Sequence, residues 1–529
     1  MSTPTRVGYA QLSTADPSAW RATGSSWAGL GGLAERRAGE LTEVGNTLRT
    51  GWSGSAAGSA DARLSGLRHE LVALAPAAIE TDQVLAEFAA RLVAARGRLT
   101  AAVAAAAETG VLIDRRGGVR ADPTRMPPEH AVRQVSTALR SALDQAATAD
   151  AEATARLARL TEAAGTGWTA RPPSYRPPPN ADPALVRRWW AGLTSAERRW
   201  LVVHEPELIG RLDGVPADAR DQANRLLLAA RRAELAQRWE QLLARLPRGP
   251  AELVGLRAVD AARSGLDALV DRLDSAQQPR AYLLGLDVGG EGRAVVALGN
   301  PDRATDVLTY VPGMTSGLHD ATGELGRAAQ VLARCAELAP GTQTSAVLWL
   351  DYDAPDFLHE AARDGQARAA GEALHRFQEG LRATHDDPPG RQTVLGHSYG
   401  SLVVGTAARD HGLAADALVF VGSPGVGVQH AADLGLPPDR VWASTAPDDV
   451  IRLTRPPDEL ARRAALGASP VGTIVGWLAG SGDERWFGRD PAEPGFGGRT
   501  FPSGRYGHTG YWHPDNPALD GMARVVLGR

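Results

Sequence analysis

The sequence predicts two architectures in one chain: an all-α N-terminal region, then an α/β domain whose mostly parallel sheet carries helices on both faces. Two observations lead there. As far as about Ala276, apolar residues recur in steps of three and four, which places them on one stripe of a helix. After Gln278 they gather instead into short runs, apolar on both faces, and helix-compatible segments alternate with these runs.

In the helical part, Trp27, Leu30 and Leu33 lead into Leu41, Val44 and Leu48; after a break the period resumes with Leu64, Leu67, Leu71 and Leu74, and later Leu85, Phe88 and Leu92. The break is Gly51-Trp52-Ser53-Gly54-Ser55, a turn by its glycines. Two long helices joined there form a hairpin that buries its stripes against each other or against a partner. A polar stretch with Gly117, Gly118, Pro123, Pro127 and Pro128 precedes another helical run near Ala131–Ala163. The segment Arg171–Pro183, with Pro172, Pro173, Pro177, Pro178 and Pro179, reads as a stiff, extended linker. Helical spacing returns from Ala184 to about Ala276, where Trp189, Trp190, Trp200 and Trp239 are packing anchors. The expected division is therefore a helical hairpin or bundle at 1–168, a linker at 169–183, the α/β domain at 278–529, and between them a helical region at 184–277 that packs on the α/β domain.

The strand candidates of that last domain are Ala281–Leu286, Ala294–Leu298, Val307–Val311, Ala346–Leu350, Thr393–Leu395, Ala417–Val421 and Val441–Ala443, with a last strand near Arg499–Phe501. Helices are expected at Gly323–Leu338, Ala361–Thr384 and Ser401–Asp410.

Composition narrows the function classes. The chain has 529 residues, too many for one core, with 43% hydrophobic and 22% charged residues, an ordinary globular balance. All 57 basic residues are Arg, interspersed with 61 acidic ones for a net charge of -4, which gives no electrostatic case for nucleic acid. Cys335 is the one cysteine, so neither an internal disulfide nor a cysteine metal site can form, and its helical run marks it as a buried, inert thiol. Met1–Leu12 has no apolar core after a basic start, so no Sec signal peptide is expected. The longest apolar stretch, Ala464–Ala479, is interrupted by Gly467, Pro470, Gly472 and Gly476 and is too short to span a bilayer. The default expectation is a soluble, cytoplasmic protein.

The chemistry lies after the fifth strand candidate, in Gly396-His397-Ser398-Tyr399-Gly400. This is the single G-x-S-x-G in a chain of 59 glycines, and it stands between an apolar strand and a helix-compatible run. A sharp strand-to-helix turn strains the serine backbone and lifts its hydroxyl above the sheet; side chains two residues either side would collide. A serine hydroxyl needs a base to become a nucleophile, and in this arrangement an acid and a histidine follow it in that order. Asp448 and Asp449 lie just past the seventh strand, and Asp449 is preferred as the acid. Of the later histidines, His411 and His430 come too early; His508 sits in a glycine-rich loop after the last strand and is preferred, with His513 in reserve. His397, adjacent to the serine, points the other way and is structural. An oxyanion needs two backbone donors: Tyr399, after the nucleophile, and Met314, in the loop after the third strand, where Gly313 permits close approach. Asp351, Tyr352, Asp353 and Asp356 cluster after the fourth strand, where they could contact substrate or cap and brace the loop, and bracing is preferred; with no histidine they make a weak metal site. No metal and no organic cofactor is implied.

Gly396–Ser401 resembles an actinobacterial α/β-hydrolase family of unknown function. Val311-Pro312-Gly313-Met314, Tyr352-Asp353-Ala354-Pro355, Gly422-Ser423-Pro424-Gly425, Val441–Ala446, Gly507-His508 and Tyr511-Trp512 are similar to it too, as is the upstream Leu212–Pro216 with Arg220-Asp221 and Ala223–Arg225. The resemblance runs from about Trp189 to the end and implies an α/β-hydrolase fold with a triad on Ser398, Asp449 and His508; where members show Asp-Pro, this chain has Asp449-Val450. The N-terminal hairpin, with Trp52-Ser53-Gly54 at its turn, resembles WxG helical hairpins exported by type VII secretion, although the Tyr-x-x-x-Asp/Glu export tag is absent beside it. That second resemblance implies a helical protein partner and an extracellular destination. The leading expectation is a serine esterase or lipase acting on a small acyl or lipid ester, with the insertion between Ile451 and Arg499 as a lid. The alternative is a helical partner-binding or type VII-secreted effector module whose hydrolase domain is secondary or inactive.

Overall fold

A computed structural model describes residues 7–165, 173–244, 250–289, 292–314, 316–355, 361, 363–386, 388–453 and 484–529. Asp356, most of the expected lid and the whole Ala464–Ala479 stretch lie outside the described residues.

The N-terminal region is all but entirely helical. The first long helix, α1 (Pro17–Gly51), starts on Asp16, whose carboxylate accepts from the Ser18 amide, with Pro17 in the first turn, where its missing N–H costs nothing. It turns at Trp52 and Gly54 into α2 (Ser55–Thr109), which at 55 residues extends for about 80 Å. The two separate leucine stripes thus belong to one helix, which carries Pro76 without ending. A short ribbon (Val111–Ile113 paired with Val119–Ala121) leads to α3 (Glu129–Gly165), which packs back on the second half of α2 through Leu139, Ala142 and Ala146.

Of the two ways the hairpin could bury its stripes, the large residues of α1 do not take the first, packing against the other arm. The packed face of α1 is not Trp27, Leu30, Leu33 and Val44, which are 39%, 39%, 42% and 47% exposed. It is a parallel stripe of small residues, Ala28, Gly31, Ala34 and Ala38, and a side chain at Gly31 would press on the Ala75 carbonyl and Ile79 at 3.3 Å. Small residues let two backbones approach closely, and that contact outcompetes the larger side chains for the inner face.

Residues 173–274 supply further helices, of which α4 (Ala217–Ala244) and α5 (Pro250–Asp274) lie against the start of the sheet. The proline-rich segment is seated on this region: Pro173 and Pro177 are buried, Arg176 pairs with Glu205 at 2.6 Å, and the Trp189 indole donates to the Tyr175 carbonyl.

The α/β domain contains an eight-stranded sheet, numbered here β1 (Ala281–Asp287), β2 (Arg293–Leu298), β3 (Asp306–Val311), β4 (Thr344–Leu350), β5 (Arg391–His397), β6 (Ala417–Val421), β7 (Val441–Ser444) and β8 (Arg499–Thr500). Their spatial order is β1-β2-β4-β3-β5-β6-β7-β8. β2 runs antiparallel to both β1 and β4, and the remaining neighbours are parallel. The order reverses between β3 and β4. Right-handed crossovers therefore put the helix after β3, α6 (Ala321–Leu338), on one face. They put α7 (Gly365–Thr384) and α8 (Tyr399–His411), which follow β4 and β5, on the other. The C-terminal α9 (Pro517–Val526) returns to α6, where the Cys335 thiol is buried against the Ala523 carbonyl. Among the described residues no helix is long and apolar enough to cross a membrane.

Buried ion pairs join the helical region to this sheet. Asp82 of α2 is fully buried between Arg21 of α1 and Arg280 at the entry to β1, with Arg280 Nε at 2.7 Å. Arg280 also reaches Asp221 of α4 at 2.7 Å, and Asp221 in turn holds Gln83, Arg225 and the Leu283 amide. A second set joins Arg156 of α3 and Arg303 to Asp218.

Candidate active site

Crevices in open α/β sheets form at the C-terminal ends of the strands, where two neighbouring strands send their connections in opposite directions. Here β3 and β5 are neighbours at that place, and the loops leaving them meet. β5 ends at His397 and α8 begins at Tyr399, so one residue, Ser398, makes the whole turn. Its backbone sits at φ 52°, ψ −126°, one of two non-glycine residues with positive φ among those described. The strain is held by neighbours: the Ser398 amide donates to Val421 of β6, and its carbonyl accepts from Ser401. The flanking glycines have no room for a side chain. A Cβ at Gly396 would meet Ser401 Cα at 2.6 Å, and one at Gly400 would meet the Val311 carbonyl at 2.2 Å.

The Ser398 hydroxyl is 2.9 Å from Nε2 of His508. The other ring nitrogen, Nδ1, is 2.8 Å from Oδ1 of Asp449. Asp449 is buried just past the end of β7, whereas Asp448 is exposed and, among the described residues, accepts from the Gly507 amide. His513 lies on the surface, stacked on Tyr506, and takes no part. Of the alternatives left open by the sequence, the geometry brings together Ser398, His508 and Asp449.

Asp449 is held on all sides. Its Oδ1 also accepts from the Ile451 amide, and its Oδ2 accepts from the Tyr511 hydroxyl at 2.5 Å. Burial pushes the carboxyl up, but the hydrogen bond and charge of His508, with Tyr511 and the Ile451 amide, outweigh it and leave the carboxyl below its ordinary value. It is therefore ionised at neutral pH. Tyr511 accepts in turn from the Ala446 amide, pinning the loop that carries Asp449. Sequence reading placed Tyr511 only in a matching motif; its hydroxyl role depends on a contact 62 residues away. Tyr511→Phe leaves one oxygen of a buried carboxylate without its donor. It is expected to cost about 2 kcal/mol of stability, the worth of a hydrogen bond to a charged group, read as a lowered denaturation midpoint.

The loop after β3 closes the other side. Gly313 packs on Ser398 so closely that a Cβ there would stand 2.7 Å from Ser398 Cβ. The Tyr352 hydroxyl donates to the Pro312 carbonyl at 2.7 Å and lies 3.2 Å from that of Gly313, so this residue of the fourth-strand cluster braces the turn carrying Met314. Asp351 is partly buried beside it, and burial pushes its carboxyl up. Tyr399 anchors the start of α8 by donating to the Arg363 carbonyl. Among the described residues no three His, Cys, Asp or Glu side chains converge as a metal site.

Beneath the elbow, His397 is fully buried, with Nε2 2.9 Å from the backbone carbonyl of His508. Burial, and secondarily the neighbouring His508 and Arg327, pushes its basicity down to about 3, so the ring is neutral. The insertion returns to the site at Phe487, whose ring meets Tyr399 edge-on at 6.1 Å. Its backbone is tied to Pro424 and Gly427 beyond β6.

A family model described as Alpha/beta hydrolase matches residues 287–459. Uncharacterized protein Rv2079 of Mycobacterium tuberculosis is 33% identical over 385 residues, which cover 67% of this chain and 57% of the relative. The chain thus spans little more than half of that relative's length. Uncharacterized protein Rv0963c of the same organism is 32% identical over 227 residues, covering 42% of this chain and 79% of the relative. Among solved structures, the esterase LipW from Mycobacterium marinum matches at 14% identity and a TM-score of 0.27, covering 57% of this chain and 93% of its own. The siderophore hydrolase EstA from Aspergillus nidulans matches at 13% and 0.26, covering 47% and 94%.

Proposed function

Since the chain belongs to an α/β-hydrolase family that includes uncharacterised mycobacterial proteins, we propose that it is a serine hydrolase acting through an acyl-enzyme on a small acyl or lipid ester. One observation carries the reading: an unbroken line of hydrogen bonds from the strained Ser398 hydroxyl through His508 to buried Asp449.

In this reading Ser398 Oγ attacks the ester carbonyl while His508 Nε2 takes its proton. Asp449 fixes the tautomer by accepting from Nδ1–H and stabilises the imidazolium that forms. The Met314 and Tyr399 amides receive the oxyanion. The tetrahedral adduct collapses, the alcohol leaves with the proton from His508, and water repeats the sequence to release the acid. The dense packing supports preorganisation: Gly313, Gly400 and the Tyr352 brace leave little freedom to the groups that would face the charge.

A fluorophosphonate probe tests the reading. Wild type should label once, at Ser398, and Ser398→Ala should not; an inert wild type, or equal labelling of the variant, would sink it. An ester panel of graded acyl length then separates short-chain from lipid substrates. The pH profile is a further check. Because the Asp449 carboxyl is held below its ordinary value, its protonation should not steepen the fall of activity on the acid side, and log kcat/KM should keep a slope of about one rather than two.

A further inference from the structure

We propose that His397 is a positioning residue, which fixes the backbone of His508 to the nucleophile strand through its Nε2–H···O=C hydrogen bond; the proposal rests on the serine-hydrolase reading. His508 stands in a loop with glycines at 504, 507 and 510, and Gly507 has φ +66°. Such a segment has few conformational restraints of its own. The neighbouring tie, from the Gly507 amide to Asp448, lies at the exposed surface and is 3.2 Å long. Where the imidazole stands therefore depends on what holds the His508 backbone.

His397 holds it from the most rigid part of the fold. It is the last residue of β5, paired with Val421 of β6 in the middle of the sheet, and its peptide neighbour is Ser398. The 110 residues that separate nucleophile and base along the chain are thus bypassed by one peptide bond and one hydrogen bond. Alternation along a strand makes this arrangement available: Ser398 carries its hydroxyl to the crevice, and the residue before it aims beneath the loop of the base.

The chemistry of the contact identifies the proton. A carbonyl oxygen only accepts, so Nε2 carries hydrogen and Nδ1 is a bare acceptor. Nδ1 is buried without a hydrogen-bond partner among the described residues. Buried polar atoms left unsatisfied are rare, and an apolar side chain of the same size would fill the slot without that cost. The imidazole is explained by the donor on its other side. Trp512 stands edge-on to the ring at 4.9 Å, and the His508 ring lies against it at 4.9 Å, so two of its sides are packed. A neutral ring also places no like charge beside His508 when that residue takes the proton from Ser398.

The test is a set of substitutions at this one position, assayed with a short-chain ester and by the rate of fluorophosphonate labelling. His397→Phe keeps a ring and removes the donor; His397→Gln keeps an amide N–H at similar reach. Phe is expected to lower kcat by about 10- to 100-fold with KM within about twofold, as for a catalytic group displaced by a fraction of an ångström. Gln should restore most of that loss. A folded Phe variant that turns over like wild type overturns the proposal, and so does a folded Gln variant as slow as Phe. Should Phe fail to fold, Gln is compared with His397→Asn, whose shorter amide stops short of the carbonyl: a slower Asn supports the proposal, and equal rates overturn it. Wild type that neither labels nor turns over would bring down the serine-hydrolase reading itself, and this inference with it.

Discussion

Ser398→Ala and His508→Ala are each expected to lower kcat by about a millionfold, and the double variant to lose no more than either alone. Nucleophile and base act in one step: the hydroxyl without its acceptor is not a nucleophile, and the imidazole without its hydroxyl has nothing to deprotonate. Asp449→Asn should lose less, about ten-thousandfold, because the amide presents a donor to Nδ1 and favours the wrong tautomer without moving the ring. Asp448→Asn serves as the control; that side chain is exposed and, among the described residues, touches the loop through the Gly507 amide, so turnover should stay close to wild type. Single-turnover assays with an activated ester, on variants whose melting curves match wild type, read these differences. Strictly additive losses at Ser398 and His508 would mean that the two do not work as a unit, and equal losses at Asp448 and Asp449 would remove the assignment of the acid.

How much the sequence made legible depends on how local each signal is. The elbow was readable because strain writes itself into neighbours: Gly396 and Gly400 have no space for a Cβ, and the strand and helix around them are continuous in sequence. The strands were readable because runs such as Val307–Val311 are buried on both faces. Contacts that close over long distances were not. Nothing in the local pattern of Tyr511 tells that its hydroxyl meets Asp449, and the bracing expected of Tyr352 has no named partner until the fold brings its hydroxyl to the Pro312 carbonyl. The inner face of α1 was not legible for a related reason. Periodicity weighs large apolar residues, and two stripes at the same spacing ran side by side; only the partner helix decides that Ala28 and Gly31 go inside while Trp27 and Leu30 stay half exposed.

Removing the Asp82 carboxylate is expected to cost about 3–5 kcal/mol. Asp82 is fully buried and answers two guanidinium groups, Arg21 from its own hairpin and Arg280 from the entry to β1. Burial alone pushes its carboxyl up, but the charges of Arg280 and Arg21 outweigh that and hold it below the ordinary range, so it enters the fold ionised. Asp82→Ala leaves Arg21 buried with no carboxylate and Arg280 with only Asp221. The exposed pair Arg133–Glu129 provides the contrast, since its loss should change stability by no more than about 0.5 kcal/mol. Denaturant unfolding, together with limited proteolysis of the hairpin, measures both. Because Asp82 and Gln83 reach Arg280 and Asp221 across the boundary, the hairpin shares its buried polar groups with the hydrolase domain. A fragment ending near residue 165 would leave Asp82 with half of its partners, and it should be less resistant to protease than the same helices in the whole chain. An Asp82→Ala protein as stable as the Arg133 control would show that the Asp82 ion pairs are incidental to the union of the two parts.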